Sequence, residues 1–222
     1  HPSQAFQVNA EGVKNICMPL LEDVKAKLIH ISTDYVFDGK KESPYVETDP
    51  VNPLSFYAES KLKGEEYVKR LLPDAIILRV QWLYGARGKS FASKLIQDIT
   101  NGSFAEKYRL IQDRIGDPTS VTDISKAIEA LIFKEISGLY HLSAGGACSW
   151  VEFGKTIFTL NDLRWEERVE VVWEEEMKRP AKRPRFSSFS SKRFEEMVGV
   201  KMIPWQMQLH QVIAQLRGGR SK

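Results

Sequence analysis

The sequence is poor in cysteine and has no long apolar run, and each absence argues against a class of protein. Cys17 and Cys148 are the only two cysteines among 222 residues, and neither lies in a Cys-x-x-Cys or Cys/His pattern. This argues against a disulfide-stapled fold or a zinc site and favours a reducing, cytoplasmic location. No run of eighteen or more apolar residues occurs, so we predict no membrane span. A net charge of +3 is too small to indicate a nucleic-acid partner.

What the sequence does contain is an alternation of apolar runs and amphipathic segments. Residues 26–32 and 75–85 are almost continuously apolar and predict buried strands. Residues 4–24 and 56–72 carry apolar side chains mostly at helical spacing and predict helices. Such an alternation is typical of an α/β protein with a parallel sheet.

The composition changes once along the chain. Trp, Glu and Arg become denser after Gly145, and no internal repeat or low-complexity linker occurs. We therefore predict a sheet domain at residues 1–145 and a smaller second lobe at residues 146–222. Part of residues 86–116 is expected to contribute to that lobe.

Polar and aromatic side chains cluster where the two predicted strands end. The segment STDYVFDG follows the first strand, and QWLYG ends the second. Ligands of parallel sheets bind beyond the carboxyl ends of the strands. The helix between these strands carries Tyr57 and, one turn later on the same face, Lys61. A Tyr-x-x-x-Lys spacing alone is nearly expected by chance, so its weight comes from this neighbourhood.

Together, Tyr57, Lys61 and Thr33 suit the reduction of a ketone. A ketone that accepts a hydride becomes an alkoxide, and a Tyr hydroxyl can supply the proton it needs, although the ordinary Tyr pKa of about 10 is high. We expect the Lys61 ammonium to lower the pKa of Tyr57. We expect the Thr33 hydroxyl to hold the carbonyl oxygen near Tyr57.

These motifs resemble those of a known family. STDYVFDG, PLSFYAESKLKGE, and LRVQWLYG with GKSF following look like the extended short-chain dehydrogenase/reductases, and among them the dTDP-4-dehydrorhamnose reductases. VNAEGVKN, QDRIGDPTSVTDIS, GLYHLSAGGACSWVEF and RPAKRPRFSS extend the resemblance, in order, over essentially the whole chain. It implies a Rossmann-like fold with a substrate-binding lobe, NADPH (or NADH) as cofactor, and a homodimer as a candidate assembly. The implied reaction converts dTDP-4-dehydro-L-rhamnose to dTDP-L-rhamnose.

The resemblance also implies roles for individual residues. Tyr57 is the general acid, Lys61 orients the nicotinamide ribose, and Thr33 positions the substrate carbonyl. The other implied residues are Asn9 for a proton relay through water to Lys61, Ser32 for the cofactor, and Asp34, Tyr35, Trp82 and Arg183 for the substrate. Of these, Asp34 could equally brace a turn, Trp82 could be a core residue, and the loop around Arg183 could be solvated surface.

Two other functions stay open. Related dehydratases carry Thr-Asp-Glu where this chain has Thr33-Asp34-Tyr35, and the missing carboxylate favours reduction over elimination. A nucleotide-sugar epimerase or dehydratase nevertheless stays an alternative to the reductase. The other is a non-catalytic regulator resembling the β subunit of methionine adenosyltransferase, which would not need to keep Thr33, Tyr57 and Lys61.

Two features depart from the family pattern. No G-x-x-G-x-x-G or G-x-G-x-x-G turn for the cofactor pyrophosphate occurs near the amino end. We therefore expect an N-terminal truncation of roughly 60 to 80 residues relative to the family, and activity depends on that segment. Gln81 stands where the family usually has a small hydroxyl residue, which bears on substrate preference.

Overall fold

Alternating strands and helices follow the order predicted from the sequence. The structure, a computed structural model, describes residues 1–21 and 26–218. The strands are β1 Ile29–Thr33, β2 Ile76–Val80, β3 Leu83–Tyr84, β4 Tyr108–Ile111, β5 Ile115–Gly116, β6 Thr119–Ser120, β7 Gly138–His141, β8 Cys148–Ser149 and β9 Val169–Val172. The helices are α1 Pro2–Phe6, α2 Gly12–Cys17, α3 Phe56–Leu71, α4 Phe91–Asn101, α5 Val121–Ile132, α6 Trp150–Leu160, α7 Lys192–Val198 and α8 Trp205–Gly218. The predicted α/β class is confirmed.

The chain divides into two compact units, each assembled from three separate segments. Unit 1 comprises residues 1–80, 127–142 and 180–201, and unit 2 comprises residues 81–126, 143–179 and 202–222. A single division at residue 145 does not coincide with these units, because residues 81–126 belong to unit 2 and residues 180–201 belong to unit 1. The assignment of cofactor and substrate binding to 1–145 and 146–222 stays a prediction.

Unit 1 is built on a parallel sheet with the strand order β1-β2-β7. All five residues of β2 are buried, as expected for a strand with a neighbour on each side and covered faces. The helix α3 connects β1 to β2 and packs on β1. It begins at Ser55, whose side chain accepts a hydrogen bond from the Ala58 backbone at 3.3 Å, and its chain leaves the helix before Pro73.

The N-terminal segment is not the single helix predicted for residues 4–24. A π-helical turn at Gln7–Glu11 separates α1 from α2, and a 3₁₀ turn follows at Pro19–Leu21; residues 22–25 lie outside the described residues. The π-helical turn packs against α3 at Gly64. A side chain there could not fit, because its Cβ would lie 2.4 Å from the Asn9 carbonyl oxygen. In the described part of the chain, no helix is long and apolar enough to cross a bilayer.

Unit 2 encloses its own hydrophobic core. Helices α4, α6 and α8 contribute most of that core, with Phe153, Ile157 and Leu209 fully buried in it. Three short two-stranded pairings surround it, namely β3 with β6, β4 with β9 and β5 with β8. Unit 2 begins at Gln81 and Trp82, the two residues between β2 and β3.

The buried histidine of unit 1 should make the protein sensitive to acid. His141 is fully buried in β7, with its Nδ1 3.1 Å from the Tyr45 carbonyl oxygen and its Nε2 3.4 Å from Nη1 of Arg79. Burial, followed by the Arg79 charge, lowers the pKa of His141 to about 3, whereas it is about 6.5 in an unfolded chain. Between these values the unfolded chain binds more protons, so stability is full above pH 6.5 and falls as the pH drops.

We expect the free energy of unfolding at pH 5 to be about 2 kcal/mol lower than at pH 7 on account of His141 alone. Urea unfolding of the wild type and of His141→Gln at both pH values measures this difference, which should shrink in the variant. His210→Gln is the control, because His210 is exposed on α8. Equal pH dependence in wild type and His141→Gln would contradict the assignment.

Candidate active site

The first part of the site is the turn that ends β1. Thr33 is buried at the carboxyl end of this strand and caps a 3₁₀ turn at Asp34–Val36. Its hydroxyl accepts a hydrogen bond from the Tyr35 backbone at 3.2 Å and donates one to the Asp34 carboxylate at 3.1 Å. Thr33 is therefore held in one orientation, as a group that positions a substrate carbonyl must be.

Tyr57 lies beside this turn, in the first turn of α3. Tyr57 is 45% exposed, and the Thr33 side chain lies close enough to its phenol to influence the pKa of Tyr57. The ring of Tyr35 meets the Tyr57 ring edge-on, with 6.0 Å between the ring centres. The structure thus brings together three of the residues predicted from the sequence, Thr33, Tyr35 and Tyr57, around one hydroxyl that a bound molecule can reach.

The pKa of Tyr57 is shifted in the direction opposite to the one predicted. Burial raises the pKa of Tyr57 above its ordinary value; the neighbouring Thr33 side chain acts in the other direction, and the Asp34 carboxylate adds to the increase. The expected lowering by Lys61 is not among the contributions to the shift, in which burial is the largest. Tyr57 is consequently a protonated phenol at neutral pH, which is the form a proton donor needs.

Lys61 lies one helical turn after Tyr57, and its ammonium is tied to the sheet. Its Nζ donates a hydrogen bond to the Ile31 carbonyl oxygen of β1 at 2.6 Å. Burial lowers the pKa of Lys61, and the Glu65 carboxylate acts against that shift. An ammonium has three N–H donors, so Lys61 can bind a further acceptor while it keeps Ile31.

Asn9 reaches α3 through a buried serine. Its Nδ2 donates to the Ser60 hydroxyl at 3.1 Å, and the Ser60 hydroxyl donates to the Tyr57 carbonyl oxygen at 2.8 Å. Asn9 lies within the π-helical turn, and such turns are frequent at functional sites. The amide thus braces the backbone of Tyr57, while its predicted part in a water relay to Lys61 stays a prediction.

The other predicted residues of unit 1 differ in how they can take part. Ser32 is only 3% exposed, and its expected role in cofactor binding stays a prediction. The loop that carries Arg183 packs against the loop after Tyr35. At Gly39, where φ is +76°, an added Cβ would lie 2.6 Å from the backbone nitrogen of the residue two places after Arg183. Arg183 itself is half-buried.

Trp82 belongs to unit 2, and its predicted contact with a sugar stays a prediction. Its indole stacks on Trp150, with ring centres 3.9 Å apart and an angle of 6° between the planes. The Arg114 guanidinium carbon lies 5.9 Å from the centre of the Trp82 ring. The backbone of Trp82 has φ +42°, an unusual value for a residue other than glycine and one that is found preferentially at functional sites.

Gln81 is turned into the protein and clamps a loop. Its Nε2 donates to the Asp117 carboxylate at 2.9 Å, and its Oε1 accepts from the Asp117 backbone at 3.0 Å. Gly116 lies against the side chains of Gln81 and Trp82. A Cβ at this position would be 2.6 Å from the Trp82 ring and 2.9 Å from Oε1 of Gln81. The Gln81 side chain is therefore engaged by Asp117, and its expected bearing on substrate preference stays a prediction.

An open cavity of about 770 Å³ lies at a different place in unit 1. It is lined by residues around 26–28, 71–75 and 135–137, at the amino ends of β1, β2 and β7. Ligands of parallel sheets bind at the opposite, carboxyl ends of the strands. The cavity contains none of the predicted site residues, so we assign the active site to the Thr33–Tyr57 cluster.

Sequence reasoning missed two charged residues that lie behind Lys61. Glu65 and Arg79 are fully buried and form two hydrogen bonds with each other, at 2.9 and 2.8 Å. The signal was present in each case. An arginine in the middle of the apolar run IILRV needs a buried partner, and Glu65 continues the i, i+4 spacing of Tyr57 and Lys61.

The parallel sheet, the hydroxyl cluster at the end of β1 and the Tyr57–Lys61 pair define a short-chain dehydrogenase/reductase of the extended type. More specifically, the chain belongs to the RmlD substrate binding domain family, whose sequence model matches residues 1–218. The resemblance predicted from the motifs is thereby confirmed.

Similar proteins carry one recurrent name. A dTDP-4-dehydrorhamnose reductase from Sinorhizobium fredii is 33% identical over 214 residues, covering 92% of this chain and 71% of its own. The Escherichia coli enzyme of that name is 30% identical over 230 residues, covering 97% and 74%. A crystal structure of the Bacillus anthracis enzyme in complex with NADP matches with a TM-score of 0.87 and 34% identity, covering 96% of this chain and 74% of its own.

Proposed function

We propose that the protein reduces a nucleotide-sugar 4-ketone, converting dTDP-4-dehydro-L-rhamnose to dTDP-L-rhamnose with NADPH as the reductant. The observation that carries this proposal is the exposed Tyr57 phenol beside the Thr33–Tyr35 turn at the carboxyl end of β1, with Lys61 one turn further along α3. Relatives at 30–33% identity that are named for this reaction support the choice of substrate.

The residues of this chain would perform the proton transfer. NADPH, when bound, supplies the hydride that adds to the carbonyl carbon. The carbonyl oxygen then takes the Tyr57 proton, giving the alcohol and a phenolate, and the phenolate recovers a proton from water because Tyr57 is half-exposed. The Thr33 hydroxyl would exchange its bond to Asp34 for one to the substrate oxygen, while the bond it accepts from the Tyr35 backbone keeps it in position.

The cofactor fits the residues at one end. Lys61 keeps N–H donors beyond its bond to Ile31, and these suit the hydroxyls of a nicotinamide ribose next to Tyr57. No residue described here is assigned to the pyrophosphate, since the family binds that group on a Gly-rich turn. Arg183 is assigned to the diphosphate of the sugar nucleotide, because a guanidinium binds phosphate oxygens in a fork geometry.

Reduction is favoured over elimination by the residue after Asp34. Elimination of water needs a second carboxylate at the position of Tyr35, and the structure places an aromatic ring there, packed against Tyr57. Both cysteines are buried free thiols, which supports a reducing, cytoplasmic location. A homodimer is the assembly we would test first.

The test uses the native full-length protein with NADPH and dTDP-4-dehydro-L-rhamnose. We expect one NADPH to be oxidised for each dTDP-L-rhamnose formed, followed by absorbance and by NMR of the product. Oxidation with related 4-ketoses but not with this one would overturn the substrate. Turnover without net NADPH oxidation would point to an epimerase or dehydratase, and a stoichiometric protein partner with no turnover would point to a regulator.

Trp82 gives a separate prediction about substrate binding. We expect Trp82→Leu to raise KM for the sugar nucleotide about tenfold, the usual size of a lost aromatic contact, with a smaller change in kcat. Steady-state kinetics measures both. Trp165→Leu is the matched control, because Trp165 is a partly buried tryptophan of the same unit whose ring contacts Lys155. An unchanged KM in Trp82→Leu would remove Trp82 from the substrate site.

A further inference from the structure

The residue that follows Lys61 by one helical turn is a buried carboxylate. Tyr57, Lys61 and Glu65 are spaced four residues apart, so all three lie on the face of α3 that packs on β1. Glu65 is 0% exposed, and its carboxylate forms ion pairs with Arg79 and Lys69. The guanidinium of Arg79 donates to both of its carboxylate oxygens, from Nε at 2.9 Å and from Nη2 at 2.8 Å.

Arg79 is itself fixed from several sides. It lies in the fully buried strand β2 and is 2% exposed. Its Nη1 is 3.4 Å from Nε2 of His141, and its guanidinium carbon lies 5.2 Å from the centre of the Phe37 ring. The backbone N–H of His141 donates to Glu47 at 2.8 Å. The position of Glu65 is thus set by the sheet and cannot follow fluctuations of the helix surface.

Lys61 lies between this carboxylate and the catalytic phenol. Its Nζ is held at the Ile31 carbonyl oxygen by one hydrogen bond. Burial disfavours its charge, and Glu65 opposes that effect. The elements packed on α3 bring other charged or titratable groups to the helix. These are His30 from β1, Asp34 from the 3₁₀ turn and Arg79 from β2. Glu11 and Lys14 of the N-terminal helical segment contact Tyr67, further along α3.

His30 does not compete for the role of counter-charge. Burial, followed by the Lys61 charge, lowers the pKa of His30 to about 4, so the ring is neutral at physiological pH. Glu65 is the anion that acts on Lys61 in the opposite direction to burial. Burial alone would raise the pKa of Glu65, yet the hydrogen bonds and charge of Arg79 outweigh it and keep the carboxylate ionised.

We propose that Glu65 is a positioning residue for the reaction: anchored by Arg79, it is the fixed counter-charge that keeps Lys61 in its ammonium form one helical turn from Tyr57. This inference rests on the proposed function for its catalytic meaning. Its physical content, that Glu65 sets the charge state of Lys61, can be measured without substrate.

The test compares the wild type with Glu65→Gln in the native full-length protein. The amide keeps the size and one acceptor oxygen for Arg79 but loses the charge. We expect Lys61, followed by NMR of labelled lysine and assigned with Lys61→Arg, to titrate about one pH unit lower in the variant. We expect kcat to fall about tenfold and the alkaline limb of the kcat/KM profile to move to lower pH by the same amount.

Glu66→Gln is the control on the same helix, since Glu66 is exposed and pairs only with Lys63, at 2.8 Å, among the described residues. It should leave the Lys61 titration and the pH profile unchanged. Glu65→Asp keeps the charge, so its alkaline limb should stay at the wild-type pH even if kcat falls.

Three results would overturn the proposal. The first is an unchanged Lys61 titration in Glu65→Gln. The second is a kcat loss that only parallels a loss of folded protein, with the pH profile unmoved. If Glu65→Gln does not fold, Arg79→Lys takes its place, because lysine replaces the two hydrogen bonds of Arg79 to Glu65 with a single donor. Arg79→Lys should lower kcat severalfold, and the third contradicting result is a wild-type kcat in this variant. If Lys61 titrates at lower pH in Glu65→Gln while the wild type reduces no dTDP-sugar, the proposed function is overturned and the role of Glu65 stands.

Discussion

Replacing Tyr57 with Phe should lower kcat by about 10²- to 10⁴-fold, because the alkoxide formed by hydride addition then has no acid in reach. The ring would still fill the same space beside Tyr35 and Thr33, so substrate and cofactor should bind with little change in KM. The measurement is steady-state reduction of dTDP-4-dehydro-L-rhamnose by the native full-length protein, with urea unfolding to verify stability.

Tyr67→Phe provides the matched control for this experiment. Tyr67 lies on the same helix but near its carboxyl end, whereas Tyr57 lies in its first turn. The Tyr67 hydroxyl donates a hydrogen bond to Glu11 at 2.9 Å. The same atom is removed in both variants, so only the position differs. A Tyr57→Phe protein that retains wild-type kcat would remove Tyr57 from the proton transfer, and Thr33 would be the next hydroxyl to test.

The parts of the fold that follow from the sequence are those determined by local pattern. β1 and β2 were predicted because parallel strands with covered faces are continuously apolar. The extent of α3 was predicted from the helical spacing of its apolar residues and from Pro73, which cannot continue a helix, while the Ser55 cap emerged from the structure. The π-helical turn was not predicted, and it packs on Gly64, a contact with a distant part of the chain that local pattern does not show. The three-segment composition of each unit was hidden for the same reason.

The candidate site was predictable in its members but not in its electrostatics. Thr33 and Tyr57 meet because a strand end and the start of the next helix face the same edge of a parallel sheet. The direction of the Tyr57 pKa shift depends on how far the phenol is removed from solvent, and the spacing of residues along a helix does not reveal its burial. Glu65 and Arg79 showed themselves only as isolated charges, whose pairing across α3 and β2 needed the structure.

The Glu65–Arg79 pair also carries the largest expected effect on stability. Arg79→Met should lower the free energy of unfolding by about 3 kcal/mol, since it leaves Glu65 buried without its principal partner. We take the lower end of the usual range of about 3–5 kcal/mol because Lys69, whose Nζ lies 3.5 Å from Glu65, remains as a weaker partner. Urea unfolding at neutral pH measures the change.

The double variant Glu65→Leu/Arg79→Met separates the cost of an unpaired charge from the value of the pair. Two apolar side chains of similar size should recover most of the lost stability, because replacing a buried ion pair is often neutral or favourable. A double variant as unstable as Arg79→Met would show that the pair itself stabilises the fold, contrary to this prediction. If stability returns while the tenfold loss expected for Glu65→Gln persists, the pair is retained for Lys61 and not for the fold. The same protein would then be folded, able to bind its substrate, and slow.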